Sequence, residues 1–303
     1  MSRYLHMPSF GGATGWLNSE PPGPADLRDH VVFVDFWTLT CINWLRTAPY
    51  IRAWAEAYAD DGLVVIGVHT PEFGIEHDAG LVARATKERG IGYPVALDND
   101  YAVWNAFANH YWPALYFVAA DGTIRDHHFG EGRYARSERL IQQLLAVDRE
   151  PVGATGVGIE AEADWEQLRT PETYLGYSRG DQPAAGPGDR LRLNQWALTG
   201  GWTAQPEFVV LDEPGGSIAF RFHARDAHLV LSTRGSEPIG FQVLLDGEPP
   251  GRAHGVDVDE DGTGVLRDGR LYQLVRQHGA IDDRTLEIRF DRAGAEAFVF
   301  TFG

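Results

Sequence analysis

The sequence has very little cysteine: Cys41 is the only one among 303 residues. A single cysteine excludes an internal disulfide and any zinc site built from cysteines. It leaves two possibilities, an inert buried thiol or a reactive thiol that works without a second cysteine in the same chain. The surroundings of Cys41 are therefore the first place to look for a function.

The sequence also lacks long hydrophobic runs and an excess of positive charge. No window approaches the roughly 18 consecutive apolar residues of a membrane helix, and residues 1–8 lack the apolar core of a signal peptide. We therefore expect a cytoplasmic protein. The formal net charge of -17 argues against electrostatic binding to nucleic acid or to an anionic membrane. We expect neither as a partner, and we expect no cofactor and no metal.

The first 148 residues alternate between strand-like and helix-like segments. A seven-residue apolar run at 31–37 predicts a strand that is covered on both faces, and apolar residues at helical spacing predict a helix over 41–58, kinked at Pro49. Further strands are predicted at 63–68, 93–97, 114–119 and 123–129, and further helices at 80–89, 101–108 and 136–147. This order predicts an α/β domain whose central sheet has helices on both faces.

The pattern changes after residue 148. Residues 149–160 have the composition of a linker, and 161–303 contain short strand-like runs separated by turns. These runs lie at 190–194, 208–211, 217–223, 228–232, 240–245, 271–275, 285–290 and 297–302. Such spacing predicts a second, all-β domain of the β-sandwich or jelly-roll type.

Cys41 stands where the first predicted strand ends and the first long helix begins. A helix N-terminus carries unpaired N–H groups and a partial positive charge, and both stabilise a thiolate relative to a thiol. In a dithiol redox protein the second cysteine lies three residues further on, but that position holds Trp44. The pattern therefore predicts a reactive sulfur without its usual resolving partner.

Several motifs together resemble a known family, the DipZ-type thiol–disulfide proteins. The first half contains FWTLTCIN (36–43), VHTPEF (68–73), YPVALDN (93–99) and YWPALY (111–116), which resemble the thioredoxin-like region of these proteins. The second half contains TPETYLG (170–176), LYQL (271–274) and FVFTFG (298–303), which resemble the carbohydrate-binding-module-like domain that follows it. The resemblance implies a thioredoxin-like fold followed by a jelly roll.

The sequence departs from the family in two ways. Trp44 replaces the second cysteine of the family motif. Proteins of this family also carry a membrane electron-transfer domain and work outside the cytoplasm, whereas this sequence shows neither a membrane span nor an export signal. The resemblance thus implies thiol chemistry that proceeds without the usual pair of cysteines.

Our leading hypothesis is a one-cysteine redox protein. A Cys41 thiolate can attack a small-molecule or protein disulfide, and a low-molecular-weight thiol or a partner protein's cysteine would then release it. It could also reduce peroxide through a sulfenic acid. Thr38 matches part of a peroxiredoxin-like site, but Val34 stands where such a site has proline. Glu72, just past the second strand, is a candidate proton donor or acceptor for Cys41, or else a solvated side chain.

Residues predicted to contact substrate are Trp37, Trp112, Pro113 and Arg46. The Trp112–Pro113 bond precedes a strand, and the family motif favours a cis peptide there. Trp44 is a second candidate wall for a ligand beside the sulfur; its alternative is an aromatic plug over the helix start. Arg46 could steady a thiolate or bind an anion, or be a surface cation. His69 and His110 show no ligand spacing, so we expect structural roles for both.

The second domain offers weaker signals. One segment has the spacing of a calcium-binding loop: Asp257, Asp259 and Asp261 followed by Gly262. The alternative interpretation of the same residues is a solvated acidic turn. Trp196, Trp202 and Tyr177 could form a sugar-stacking platform or belong to the core. Two competing hypotheses also remain: a non-catalytic binding protein that kept the fold and lost the redox pair, and an enzyme acting on a small substrate in a cleft at Cys41, Trp44 and Pro113.

Overall fold

The computed structural model describes residues 5–184 and 190–303; residues 1–4, part of the stretch used above to argue against a signal peptide, lie outside this description. The chain forms two compact units, Met1–Ala161 and Glu162–Gly303. The stretch 149–160 belongs to the first unit, where Glu160 pairs with Arg52 at 2.7 Å and the Val152 N–H donates to Glu138. None of the helices in these described ranges is both long and apolar enough to cross a bilayer.

The first unit has the thioredoxin-like α/β fold. Its strands are β1 Gly15–Leu17, β2 Val31–Trp37, β3 Leu63–His69, β4 Val95–Leu97, β5 Ala114–Val118 and β6 Ile124–Phe129. Its helices are α1 Pro24–Leu27, α2 Ile42–Ala57, α3 Ala79–Glu88, α4 Ala102–Ala106 and α5 Tyr134–Leu145. The strands form one sheet in the order β1-β4-β3-β2-β5-β6. The predicted α/β class is confirmed; β1 and α1 are additional elements.

The position of β2 explains its apolar sequence and places the cysteine. β2 pairs in parallel with β3 and antiparallel with β5, so it lies in the middle of the sheet and all seven of its residues are buried. The chain leaves β2 through a short turn and enters α2, whose N-cap residue is Cys41. Helix α2 continues through Pro49 to Ala57. The central strand therefore carries the thiol to the sheet edge at which the parallel strands end.

Within its described residues, 162–184 and 190–303, the second unit contains strands and short 3-10 turns but no α-helix, in line with the predicted all-β class. Its described strands are β7 Thr173–Tyr174, β8 Trp196–Thr199, β9 Trp202–Ala204, β10 Val209–Leu211, β11 Ser217–Phe222, β12 Asp226–Thr233, β13 Ile239–Leu245, β14 Thr263–Leu266, β15 Arg270–Arg276, β16 Arg284–Phe290 and β17 Ala295–Phe302. One antiparallel sheet runs β15-β12-β17-β10-β9, with β7 on β17, and the other runs β14-β13-β16-β11-β8.

The two sheets of the second unit enclose one core. Phe220 of β11 and Phe300 of β17 lie in different sheets, and their ring centroids are 4.9 Å apart, as expected for a β-sandwich. The strand predicted at 190–194 is wrong. Asn194 takes a left-handed conformation with φ of 66°, which ends an extended segment, and the strand begins only at Trp196.

Candidate active site around Cys41

Cys41 is a partly exposed residue at the start of α2. The Cys41 N–H donates to the Thr38 carbonyl at 3.3 Å, and its own carbonyl accepts from Leu45 N–H at 3.0 Å. Its Sγ lies 3.7 Å from the Trp112 carbonyl oxygen. The turn thus presents the sulfur at a helix N-terminus, against the loop that precedes β5.

That loop contains the cis peptide between Trp112 and Pro113, as the sequence predicts. The Trp112 indole N–H donates to the Thr70 carbonyl at 3.0 Å, and its ring lies 4.3 Å from that of Trp104. Pro113 is buried, and its carbonyl accepts from Gly130 N–H. Cys41, Trp112 and Pro113 are therefore brought together by segments that lie about 70 residues apart.

Trp44 and Trp37 occupy the core beneath the turn. Their rings stack at 4.2 Å, and both residues have a relative exposure of 0%. The Trp44 indole N–H donates to Asp35 at 2.8 Å. Indole rings without exposed surface offer no wall to a ligand in solution, so the predicted substrate contact of Trp37 and the wall interpretation of Trp44 do not match this geometry. Trp44 is instead a buried plug, since tryptophan stabilises most where its large area is covered.

Asp35 is a site residue that the sequence analysis missed. It lies inside the apolar strand β2 with no exposed surface. Burial raises its pKa to about 7, and the hydrogen bond from Trp44 opposes that rise. The signal available in the sequence was one carboxylate interrupting a buried strand, which is costly unless a partner offsets it.

Glu76, which the sequence analysis did not single out, reaches the cysteine turn. Glu72 is partly exposed, whereas Glu76 is fully buried in a 3-10 turn, residues Gly74–His77. One oxygen of Glu76 accepts from the backbone N–H and the hydroxyl of Thr40, both at 2.9 Å. The other accepts from the N–H groups of Glu72 and Phe73. Burial, aided by the charge of Glu72, raises the pKa of Glu76, and hydrogen bonding from the Thr38 side chain and from the backbone of Phe73 and Glu72 opposes this.

Arg46 is buried rather than a surface cation. Its side chain has an exposure of 3% and pairs with Glu131 at 3.1 Å, itself only 8% exposed. Charged side chains are buried where a partner compensates their desolvation, and the partner here comes from the segment after β6, which sequence spacing could not reveal. The predicted contact of Arg46 with substrate does not match this placement.

Three further predicted residues divide between core and surface. Thr38 has no exposed surface. His69 is also buried, and that burial lowers its pKa to about 3, so its ring is neutral at physiological pH. His110 is exposed.

In the second unit, the acidic loop is occupied by protein contacts. Asp257 pairs with Arg270 at 2.6 Å and accepts from Gln273 N–H, and Asp259 accepts from Thr263 N–H. Within residues 5–184 and 190–303, no group of three or more metal-ligating side chains converges. Trp196 is in the core, Tyr177 is 59% exposed, and the Trp202 indole N–H donates to Thr199.

Comparison with known proteins agrees with this architecture. Residues 170–303 match a family model described as a thioredoxin-like C-terminal domain. The DipZ proteins of Mycobacterium bovis and Mycobacterium tuberculosis are each 35% identical over 98% of the chain. The chain is thus similar in sequence to DipZ over nearly all of its own length. It spans 42% of the length of those proteins.

The first unit has shorter relatives as well. The thiol-disulfide oxidoreductase YkuV of Bacillus subtilis is 28% identical over 46% of the chain and 94% of its own length. A solved structure of a thioredoxin-like protein in the oxidised form has 27% identity and a TM-score of 0.44, covering 49% of this chain and all of that one.

Proposed function

We propose that the chain carries out one-cysteine thiol–disulfide exchange, with Cys41 as the attacking sulfur. The observation that carries the proposal is the placement of the thiol. Cys41 is partly exposed as the N-cap of α2, its Sγ lies 3.7 Å from the Trp112 carbonyl oxygen, and the ring of Trp44 is fully buried and stacked on that of Trp37. Amide groups at a helix N-terminus stabilise the thiolate that this chemistry needs.

The exchange balances without a second cysteine in the chain. The Cys41 thiolate attacks one sulfur of a disulfide, forms a mixed disulfide and releases the other half as a thiolate. An external thiolate, from a low-molecular-weight thiol or a partner protein, then attacks the sulfur bound to Cys41. This second step returns the Cys41 thiolate and gives a new disulfide between the two external halves.

Disulfide exchange fits the site better than peroxide reduction. The peroxide hypothesis relied on the Thr38 hydroxyl, and Thr38 has no exposed surface. A molecule in solution therefore does not contact that hydroxyl. Exchange needs only an approachable sulfur and backbone groups beside it, and Cys41 and Trp112 supply these.

Intact mass spectrometry tests the proposal directly. We expect the reduced protein, mixed at neutral pH with hydroxyethyl disulfide, to gain the mass of one thiol half, and we expect 2-mercaptoethanol to remove it. Parallel treatment with hydrogen peroxide, in which a gain of oxygen would mark a sulfenic acid, separates the two chemistries. Cys41→Ser is the matched control and should show neither change.

A urea-unfolded sample of the same protein provides the reference rate. The proposal requires the folded protein to react faster than the unfolded chain at pH 7, because only the folded chain has the helix N-terminus. A folded protein that stays unmodified while the unfolded chain reacts would overturn the proposal and favour a non-catalytic binding protein.

A further inference from the structure

The turn that presents Cys41 is held by a residue far away in sequence. Glu76 has no exposed surface, and its Oε1 accepts from both the backbone N–H and the hydroxyl of Thr40. Thr40 directly precedes Cys41 and is itself 2% exposed. The Glu76 carboxylate therefore connects the end of this turn to the segment that follows β3, which lies 36 residues further along the chain.

The same carboxylate is anchored on its other side. Oε2 accepts from Glu72 N–H at 2.7 Å and from Phe73 N–H at 3.0 Å. All four partners are donors, an arrangement that suits an ionised carboxylate because that group only accepts. A buried anion with four donors is a rigid link, since moving any partner leaves a polar group without compensation.

We propose that Glu76 is a positioning residue for Cys41: by holding Thr40, its buried carboxylate fixes the turn that presents the thiol at the start of α2. The inference rests on the proposed function, because it concerns the reactivity of the same sulfur. It extends that function by naming a residue that acts on Cys41 only through Thr40.

The test is the pH profile of Cys41 reaction with hydroxyethyl disulfide in Glu76→Gln. An amide has one accepting atom in place of two, so the variant loses at least one pair of bonds and the negative charge. We expect the rate at the high-pH plateau to fall about threefold or more, because the turn is loosened. We expect the midpoint to fall by about half a pH unit, because a like charge near the thiolate is gone.

Other charged groups near the site must be held constant. Glu72 acts on Glu76 electrostatically, the exposed His77 follows it in sequence, and Arg46 pairs with Glu131 after the first turn of α2. Asp35, with a pKa of about 7, titrates in the range of the measurement. The profiles are therefore recorded in an Asp35→Asn background as well.

Two variants make the result decisive. Glu138→Gln alters another buried glutamate, which accepts from Tyr58 and Val152 and has no described bond to the cysteine turn, so its profile should match that of the unaltered protein. Thr40→Val removes one bond but keeps the charge. It should lower the plateau less and leave the midpoint in place, and it carries the test if Glu76→Gln does not fold.

The outcomes distinguish this inference from the function beneath it. If Cys41 of the unaltered protein does not react, the proposed function fails. If it reacts, and the Glu76→Gln profile superimposes on the unaltered one in plateau or in midpoint, the function stands and the positioning role of Glu76 is overturned.

Discussion

Two buried carboxylates near Cys41, Asp35 and Glu76, have the same exposure and opposite surroundings. Both residues are fully covered. Glu76 accepts four hydrogen bonds, with two on each oxygen. Asp35 accepts from the Trp44 indole on Oδ2, and among the described residues no donor reaches its Oδ1. The two acids therefore differ in their donors rather than in their depth.

The comparison shows that donors decide what a buried acid does. Burial penalises the charged form of both groups. At Glu76 the surrounding donors compensate the charge, which makes the carboxylate a structural link. At Asp35 a single indole N–H opposes the effect of burial, and the pKa reaches about 7. Burial raises the pKa of Glu76 as well, so the two acids differ in how many donors oppose that rise.

Removing the acceptors of Glu76 should give the largest effect. Glu76→Met leaves three backbone N–H groups and one hydroxyl buried without an acceptor, and each such group costs about 1–3 kcal/mol. We expect the free energy of unfolding, measured in urea, to fall by at least about 3 kcal/mol. Glu138→Met, which removes an acceptor of two described bonds, should cost clearly less. Equal losses would contradict the link assigned to Glu76.

Asp35→Asn should change the free energy of unfolding in the opposite direction and make the protein more stable. The pKa of Asp35 is about 7 in the folded protein against an ordinary value of 3.8, so the folded state binds this proton more tightly than the unfolded state. The resulting stability is complete below about pH 4 and is lost as the pH rises to about 7. Asp35→Asn removes the buried charge and keeps an acceptor for Trp44.

We therefore expect Asp35→Asn to unfold at a higher urea concentration than the unaltered protein at pH 8. Its free energy of unfolding should be larger by about 1–3 kcal/mol. The advantage should shrink steadily on going down to pH 5, where Asp35 is protonated. Glu138→Gln, measured alongside, should show no such dependence. A constant difference between pH 5 and pH 8 would mean that Asp35 does not titrate in this range.

Local sequence patterns were sufficient for the framework of this site. Seven apolar residues in a row predicted a central strand, and the start of helical spacing placed Cys41 within one residue of the observed helix start. The cis peptide before Pro113 was expected from the resemblance to the family motif rather than from a local pattern. The strand and the helix start depend on neighbours in the sequence, where burial and backbone preferences can be read directly.

The contacts that adjust the site could not be predicted, because they join residues that are not neighbours in the sequence. Glu76 meets Thr40 across 36 residues, and Arg46 meets Glu131 across 85. From the sequence alone, charged residues such as these are expected on the solvated surface unless a partner is known. Trp44 and Asp35 are only nine residues apart, but a strand-to-helix contact has no periodic signature. Burial of polar partners is thus a tertiary property.

The indole of Trp44 provides the test with the smallest expected effect on stability, and it concerns a single hydrogen bond to Asp35. Trp44→Phe removes the N–H that reaches Asp35 and should cost about 1–2 kcal/mol more at pH 8 than at pH 5, because a hydrogen bond to a charged acceptor is the stronger one. Trp54→Phe is the matched control. Trp54 is equally buried, and its indole N–H has no acceptor among the described residues. Its cost should come from lost volume alone and stay constant with pH. If both variants respond to pH alike, Asp35 does not depend on Trp44 for its charge.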